Sequence, residues 1–299
     1  MPTDDDELKQ IISDELEEPV DARVTRMANA IAALYPDSAR AVLFYGSCLR
    51  ERQLDGLMLD FYLIVSDYRS AYRQRWLATA NRLIPPNVFP FACDGLSAKY
   101  AVLSEADFAR ECSASARSSS VYARFAQPAR LVWCLDEGVC AVAVANVAAA
   151  VKTLLGQTGA TMSAAEAADP LAIWRQAFVF TYGAELRAER ASRPGSIVDA
   201  DPERYQRLAA AAGVPQEQNA KDRLVAQRGW RRIQRKGKVL SVLRLAKASF
   251  TFANGIDYLA WKINRHAGTR IELRDWQRRW PLLGALTLLP RLLARGVIR

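Results

Sequence analysis

The residues best suited to chemistry are Phe44-Tyr45-Gly46-Ser47-Cys48 and, eleven residues further on, Asp60-Phe61-Tyr62-Leu63-Ile64-Val65. The apolar run ending at Tyr45 predicts a strand that feeds a tight Gly46-Ser47 turn. A second strand, rich in β-formers, is expected over residues 57–65 and carries Asp60 near its start. Transfer of a nucleotidyl group needs these parts. Glycine lets backbone N–H groups come close to a triphosphate, and the serine hydroxyl adds a further polar contact. A carboxylate on the adjacent strand holds Mg2+ against the phosphates, where the metal neutralises charge on the departing pyrophosphate. The neighbours of Asp60 on the same strand face are Met58 and Tyr62, so this strand supplies one carboxylate. A second metal ligand must come from elsewhere, with Asp55 in the preceding loop the nearest candidate and Asp94 another. Taken alone, the pattern also fits a structural turn followed by a strand-end aspartate.

Alternating strands and helices are expected to position these residues. Helices are predicted over residues 5–18, 20–34 and 69–83, the last stopped by Pro85-Pro86. Strands are predicted over residues 41–45, 57–65, 87–92, 98–103 and 130–135. Ser104 and Asp107 have the spacing of a helix-starting cap. From residue 139 the pattern turns helical, over 139–155, 164–190 with a break at Asp169-Pro170, and 202–212. Arg193-Pro194-Gly195-Ser196 reads as a loop.

Composition removes several function classes. With 299 residues, 51% hydrophobic and 24% charged, the chain can bury a large core and is not a disordered tail. Its one histidine, His266, excludes a two-histidine zinc motif and disfavours a Ser-His-Asp triad. Five cysteines without a CxxC pair support neither a disulfide framework nor a zinc ribbon, so free thiols and a reducing compartment are expected. No uninterrupted apolar run reaches the ~18 residues of a simple transmembrane helix. The acidic start, MPTDDDELKQ, matches neither a secretory signal nor a transit peptide. A cytoplasmic location is therefore expected, peripheral on the inner face of a membrane.

The net charge of +9 is unevenly divided. Residues 221–299 carry 19 Lys and Arg against 4 Asp and Glu, whereas the first 220 carry 22 against 28. A basic block seeks phosphate, in nucleic acid or on an anionic membrane. The bases are interleaved with Leu243, Phe250, Phe252, Tyr258, Trp261, Trp276 and Trp280, which suits a helix lying in a membrane interface. That reading is favoured over nucleic acid, with an amphipathic helix packed on the body as the plain structural alternative.

Further segments extend the Gly-Ser…Asp pattern, which by itself resembles that of the polymerase-β-like nucleotidyltransferases. In order they are Pro86-Asn87-Val88-Phe89, Lys99-Tyr100-Ala101-Val102-Leu103-Ser104, Tyr122-Ala123-Arg124-Phe125-Ala126-Gln127-Pro128-Ala129 and Thr181-Tyr182-Gly183-Ala184-Glu185-Leu186-Arg187. Lys247-Ala248-Ser249-Phe250-Thr251-Phe252-Ala253-Asn254-Gly255 continues the set. Together they resemble the mitochondrial-type CDP-diacylglycerol synthases, the phosphatidate cytidylyltransferases also called mitochondrial translocator assembly and maintenance proteins. The likeness covers most of residues 35–265. Cys48 and Ala101 stand where that family has glycines, and Gln127 stands where it has a lysine.

The resemblance implies an Mg2+-dependent transfer of a cytidylyl group from CTP to phosphatidate, releasing pyrophosphate and giving CDP-diacylglycerol. Gly46 and Ser47 would cradle the CTP phosphates, Asp60 would hold the metal and Lys99 would neutralise a phosphate. Tyr45, Tyr100, Tyr182 and Arg187 would complete the substrate site, with Tyr182 and Glu185 on one helix face. The expected fold is an α/β (α+β) nucleotidyltransferase domain of the polymerase-β-like type at residues 20–138. A helical domain at 139–219 would close the cleft, and a basic amphipathic segment at 220–299 would associate with a membrane. Two other readings stay open: a degenerate, non-catalytic membrane-associated nucleotide- or lipid-binding protein, and a nucleotidyltransferase acting on another phosphate or on nucleic acid.

Overall fold

The computed structural model describes residues 4–51, 54–185, 193–213 and 219–251. In chain order the elements are α1 (Asp4–Glu17), α2 (Ala22–Ala33), β1 (Ala39–Tyr45), α3 (Ser47–Glu51), β2 (Met58–Val65), α4 (Tyr68–Ala71), α5 (Arg75–Leu83), β3 (Asn87–Cys93) and β4 (Leu96–Ser104). They continue with α6 (Glu105–Cys112), α7 (Tyr122–Phe125), β5 (Ala129–Cys134), α8 (Glu137–Gly159), α9 (Ala164–Ala167), α10 (Pro170–Tyr182), α11 (Arg193–Asp199), α12 (Pro202–Ala212) and α13 (Ala220–Thr251). The protein is therefore mixed α/β, as expected. Its five strands form one sheet in the order β3-β4-β2-β1-β5. β2 and β4 run parallel, and the other neighbours are antiparallel.

Alternation along the strands divides the core in two. Leu43, Tyr62, Ile64, Ala101 and Leu103 face a helical layer in which Leu8 and Ile12 of α1, Leu154 of α8, Phe178 of α10 and Leu208 of α12 share one apolar cluster. Val42, Phe44, Phe61, Leu63 and Val102 face α2, through Val24, Met27 and Ile31, together with Tyr68 and Tyr72. Each large side chain fully removed from water contributes about 1.5–3 kcal/mol. The helices after residue 139 thus complete the same core as the sheet. Among the described residues α8 has the length and composition of a membrane-spanning helix, but half of its most apolar stretch is buried in the body. A core helix passes the same composition test.

The structure corrects four local expectations. The helix foreseen over residues 69–83 is two, because Tyr72 is extended (φ −121°, ψ 123°) and inserts its ring among Tyr35, Tyr68 and Phe89. Residues 193–196, read as a loop, open helix α11. Proline is tolerated in a helix's first turn, and burial of Ile197 and Val198 draws the segment inward. The run to residue 190 ends as a helix at Tyr182. Finally, the cysteines are not all free: Cys134, the last residue of β5, is bridged to Cys140, their Cα atoms 5.8 Å apart. The Asp136 cap starts α8 so soon after the strand that its first turns return Cys140 to the strand end. Cys48, Cys93 and Cys112 remain thiols.

The first part of the basic segment, residues 220–251, is the 32-residue helix α13. One side docks on the body. Trp230 is 2% exposed, stacks on Phe180 at 4.9 Å and donates to the carbonyl of Gln157 at 2.9 Å. Gln234 donates to the Phe180 carbonyl, and a Cβ at Gly237 would collide with the Ala184 carbonyl oxygen. The opposite side exposes Arg228, Arg231, Arg232, Arg235, Lys236 and Lys238. Residues 252–299, with His266 and most of the aromatic residues singled out above, lie outside the described residues. Trp230→Ala is expected to cost about 3–5 kcal/mol, the range for truncating a buried aromatic residue. Urea unfolding checks this, and a loss below about 1 kcal/mol would contradict α13 as part of the folded core.

Candidate active site

One line of cross-strand neighbours holds the expected residues. Tyr45 of β1 pairs with Asp60 of β2, and Asp60 pairs with Lys99 of β4. Directly paired residues point to the same sheet face, so these three side chains form a row. The Lys99 Nζ lies 3.0 Å from Asp60 Oδ1, with the two side chains 27% and 20% exposed. At the end of β1 the chain turns sharply at Gly46 (φ 100°), a conformation that strains any residue with a Cβ. A Cβ there would also sit 2.9 Å from Asp60 Oδ2. The turn therefore lies directly against the carboxylate. Ser47 opens the short helix α3, and Cys48 is buried with its Sγ against the Met58 carbonyl oxygen at 3.5 Å.

Further along the same sheet face lies a charged cluster that the sequence did not reveal. The rings of Tyr45 and Tyr62 are 5.3 Å apart, and both pack on Phe125 of α7. Next to Phe125, Arg124 holds Glu185 through two contacts of 2.9 and 3.3 Å and donates to Ser120 Oγ at 2.9 Å. Burial works against the Arg124 charge, but the Glu185 carboxylate together with Tyr62 and Tyr45 outweighs it, and the Arg124 pKa is raised. Burial, and then the Asp60 charge, push the Tyr45 phenol well above its ordinary pKa. Burial likewise raises that of Tyr62.

The docked helix α13 brings two more cations. Arg244 donates to the Pro85 carbonyl at 2.7 Å, to Ser120 Oγ at 2.9 Å and to Ser118 Oγ at 3.4 Å. Lys247, 8% exposed, donates to the carbonyls of Ile84 and Pro86. Burial, reinforced by Arg244, lowers the Lys247 pKa to about 7.

Tyr45, Gly46, Asp60 and Lys99 are thus brought together, with Ser47 next in the chain. Tyr100, adjacent to Lys99, points to the opposite face and hydrogen-bonds Tyr35, in the turn after α2, at 3.1 Å. Asp55 is paired with Arg23 of α2 at 2.8 Å and Asp94 with Arg26 at 2.6 Å, so both are engaged by that helix. Tyr182 is the last residue of α10, so Glu185 lies in the turn beyond it and does not share a helical face with Tyr182. Arg187 lies outside the described residues. No three His, Cys, Asp or Glu side chains gather as a metal cage among the described residues. Asp60 alone fits a magnesium ion shared with substrate phosphates, since Mg2+ commonly takes one or two protein carboxylates and fills its shell with phosphate oxygens and water.

No protein-family model and no curated protein matches the chain. Among solved structures, it is similar to a nucleotidyltransferase-like protein from Exiguobacterium sibiricum 255-15, at 10% identity and a TM-score of 0.30 over 92% of this chain and 93% of that one. A likeness this distant carries no functional inference, which rests instead on the residues above.

Gly46→Ala is expected to cost at least about 1–2 kcal/mol from backbone strain alone and to displace the Asp60 carboxylate. Urea unfolding measures the first effect, and a wild-type midpoint would contradict the turn geometry. Lys247 supplies a pH test. Between pH about 7 and its ordinary value of 10.5, the unfolded chain keeps a proton that the folded chain has released. Folding stability should therefore rise with pH through that window, and Lys247→Met should remove the rise. Thermal midpoints of both proteins from pH 6.5 to 9.5, values chosen to lie roughly across the lower part of the window, test the sign. Parallel curves would mean that the ammonium is not desolvated.

Proposed function

We propose that the protein is a nucleotidyltransferase, and more specifically that it transfers the cytidylyl group of CTP to phosphatidate. The observation that carries this reading is the closeness of the Gly46 turn to Asp60, where a Cβ would lie 2.9 Å from the carboxylate oxygen. A triphosphate laid along Gly46 and Ser47 meets backbone and hydroxyl on one side and the Asp60–Lys99 pair on the other. An oxygen of the acceptor phosphate attacks the α-phosphorus of the nucleotide in line, a new P–O bond forms, and the bond to pyrophosphate breaks with its electron pair leaving on pyrophosphate. The attacking oxygen is already anionic near neutral pH, so no protein base has to take a proton. This agrees with a sequence whose one histidine, His266, is far from the motif in the chain. Asp60 would hold Mg2+, which when bound supplies neutralisation of phosphate charge. Lys99, 3.0 Å from Asp60 and on the same strand face, is placed to turn its ammonium toward a phosphate when the metal takes the carboxylate.

The choice of CTP and phosphatidate is supported by the order of motifs from Tyr45 to Lys247. Association with an anionic membrane on its cytoplasmic side is supported by the exposed bases of α13, from Lys221 to Lys238, interspersed with exposed Leu224 and Val225 and followed by exposed Val239 and Leu243. The Asp60–Lys99 contact also favours a second reading, in which the site binds nucleotide or lipid without catalysis, the lysine standing permanently where a cation would sit.

One assay separates the readings. Purified protein, labelled CTP, Mg2+ and phosphatidate in mixed micelles should yield CDP-diacylglycerol, with the other nucleotides as controls. Asp60→Asn, which removes charge at nearly constant volume, should lower turnover by about 10²-fold or more. Nucleotide binding without product would establish the non-catalytic reading, and undiminished turnover in the variant would place the metal elsewhere.

A further inference from the structure

Buried cations in proteins are normally matched by carboxylates. At the junction of α13 with the sheet they are not. Arg124, Arg244 and Lys247 converge there, and Glu185, bound to Arg124, is the carboxylate within ion-pair distance of any of the three among the described residues. Arg244 and Lys247 are held by neutral acceptors alone: two serine hydroxyls and the carbonyls of the 84–86 segment.

The hydrogen-bond inventory makes this arrangement more specific. Ser120 Oγ accepts from Arg124 Nη1 and from Arg244 Nη1, both at 2.9 Å. A hydroxyl has two lone pairs and one hydrogen, so with both lone pairs committed to guanidinium groups Ser120 can only donate outward. Arg244 spends its Nε, Nη1 and Nη2 on one contact each, leaving N–H donors of the fork to spare. The result is a set of donors with excess positive charge and one polarised hydroxyl, a combination that fits an anion with several acceptor oxygens.

Its location indicates which anion. Tyr45 links the cluster to the Asp60 row: it pairs with Asp60 across the strands, and its ring packs on Phe125, the neighbour of Arg124 in α7. Tyr62, two residues from Asp60, packs its ring on both Tyr45 and Phe125. The cluster therefore lies beside the Gly46-Ser47 turn, separated from it by Tyr45. Building on the transferase reading above, we propose that Arg244, with Ser118, Ser120 and Arg124, is the site that receives the phosphate monoester of the acceptor. The nucleotide triphosphate occupies the neighbouring Gly46-Ser47 turn. Burial holds the Arg244 pKa below its ordinary value, as expected of a guanidinium whose counter-charge arrives with a ligand.

Calorimetric titration of the full chain tests the site without relying on turnover. The probes are dihexanoyl phosphatidate below its micellar concentration, dihexanoyl phosphatidylcholine, which lacks a phosphate monoester, and CTP. Wild-type protein should bind the phosphatidate and not the phosphatidylcholine. Arg244→Gln should weaken phosphatidate binding about tenfold or more, as expected for loss of a charge-assisted contact. Ser120→Ala should weaken it by a smaller factor, and both variants should bind CTP as wild type does. Because Arg244 also ties α13 to the Pro85 carbonyl, circular dichroism and thermal midpoints accompany each variant. If Arg244→Gln does not fold, Arg244→Lys and Ser120→Ala decide the matter. Wild-type phosphatidate affinity in the folded variants, or no phosphatidate binding by the wild type, would overturn the proposal. A loss confined to CTP would overturn it too, by assigning the cluster to the nucleotide. Asp60→Asn should bind phosphatidate normally, so a protein that binds it but never transfers would refute the transferase reading and leave this site standing.

Discussion

Register is the constraint on which the rest of the site depends. Tyr45, Asp60 and Lys99 come from three strands, one pairing antiparallel and the other parallel, and they meet only if both alignments hold. A slip of one residue in β2 would send Asp60 into the apolar layer beneath the sheet and bring Leu59 or Phe61 to the row. The alignment is held by the side chains that alternate with the row. Phe44, Phe61 and Leu63 lie under the sheet against α2, while Leu43, Tyr62 and Ile64 lie above it against the larger helical layer. Because both faces are covered, neither strand can shift without exposing apolar surface on one side and burying a charge on the other. The Asp60–Lys99 pair is thus positioned by hydrophobic packing, which Tyr45 at the end of the row joins directly.

The second organising feature is the helix that crosses back over the sheet. α13 joins the core through Trp230 and approaches the turn after α10 closely enough that Gly237 has no room for a side chain. The same helix carries Arg244 to Ser120 and Lys247 to the Pro86 carbonyl. One rigid element therefore sets the position of Glu185, by packing on Ala184, and delivers the cations next to it. Its exposed side is strongly basic. Charge on this helix divides by face, with most bases in water and two inside the junction, where desolvation makes each of them count for more.

Much of the scaffold was legible from residue type alone. The five strands lie where β-rich runs predicted them, because alternation of buried and exposed positions is a local property. Gly46 and Asp60 stand out for a different reason, the spacing of a Gly-Ser turn and a strand carboxylate, and Lys99 through the resemblance of its segment; Asp60 and Lys99 fall on one row with Tyr45, beside the Gly46 turn. Tyr100 is legible as well, since its place next to Lys99 in a strand assigns it to the opposite face. Arg124 and Glu185 fall in segments that carry the resemblance but nothing there pairs them, and Ser120 and Arg244 leave no such trace. They are scattered over more than a hundred positions: α7 and the turn after α10 bring Arg124 to Glu185, the docking of α13 adds Arg244, and nothing in a basic, aromatic-rich sequence distinguishes an inward arginine from the outward ones. The Cys134–Cys140 bridge escaped notice because an odd cysteine count argues against a framework of bridges but not against one between near neighbours.

The long reach of one ion pair has a consequence for how the chain assembles as it is made. Glu15 on α1 holds Arg204 of α12 through contacts of 2.6 and 2.9 Å, and the two residues are 189 positions apart in the chain. At a synthesis rate of about 5–20 residues per second, Glu15 waits roughly 10–40 s for its partner to be polymerised. Leu8, Ile12 and Leu16 on the same helix emerge equally early, and part of the layer that covers them comes from α8 and α12. α1 is therefore made well before the elements that lock it. For that interval its apolar side is available to chaperones or to neighbouring nascent chains, and the yield of folded protein should respond to translation speed across the stretch between α1 and α12.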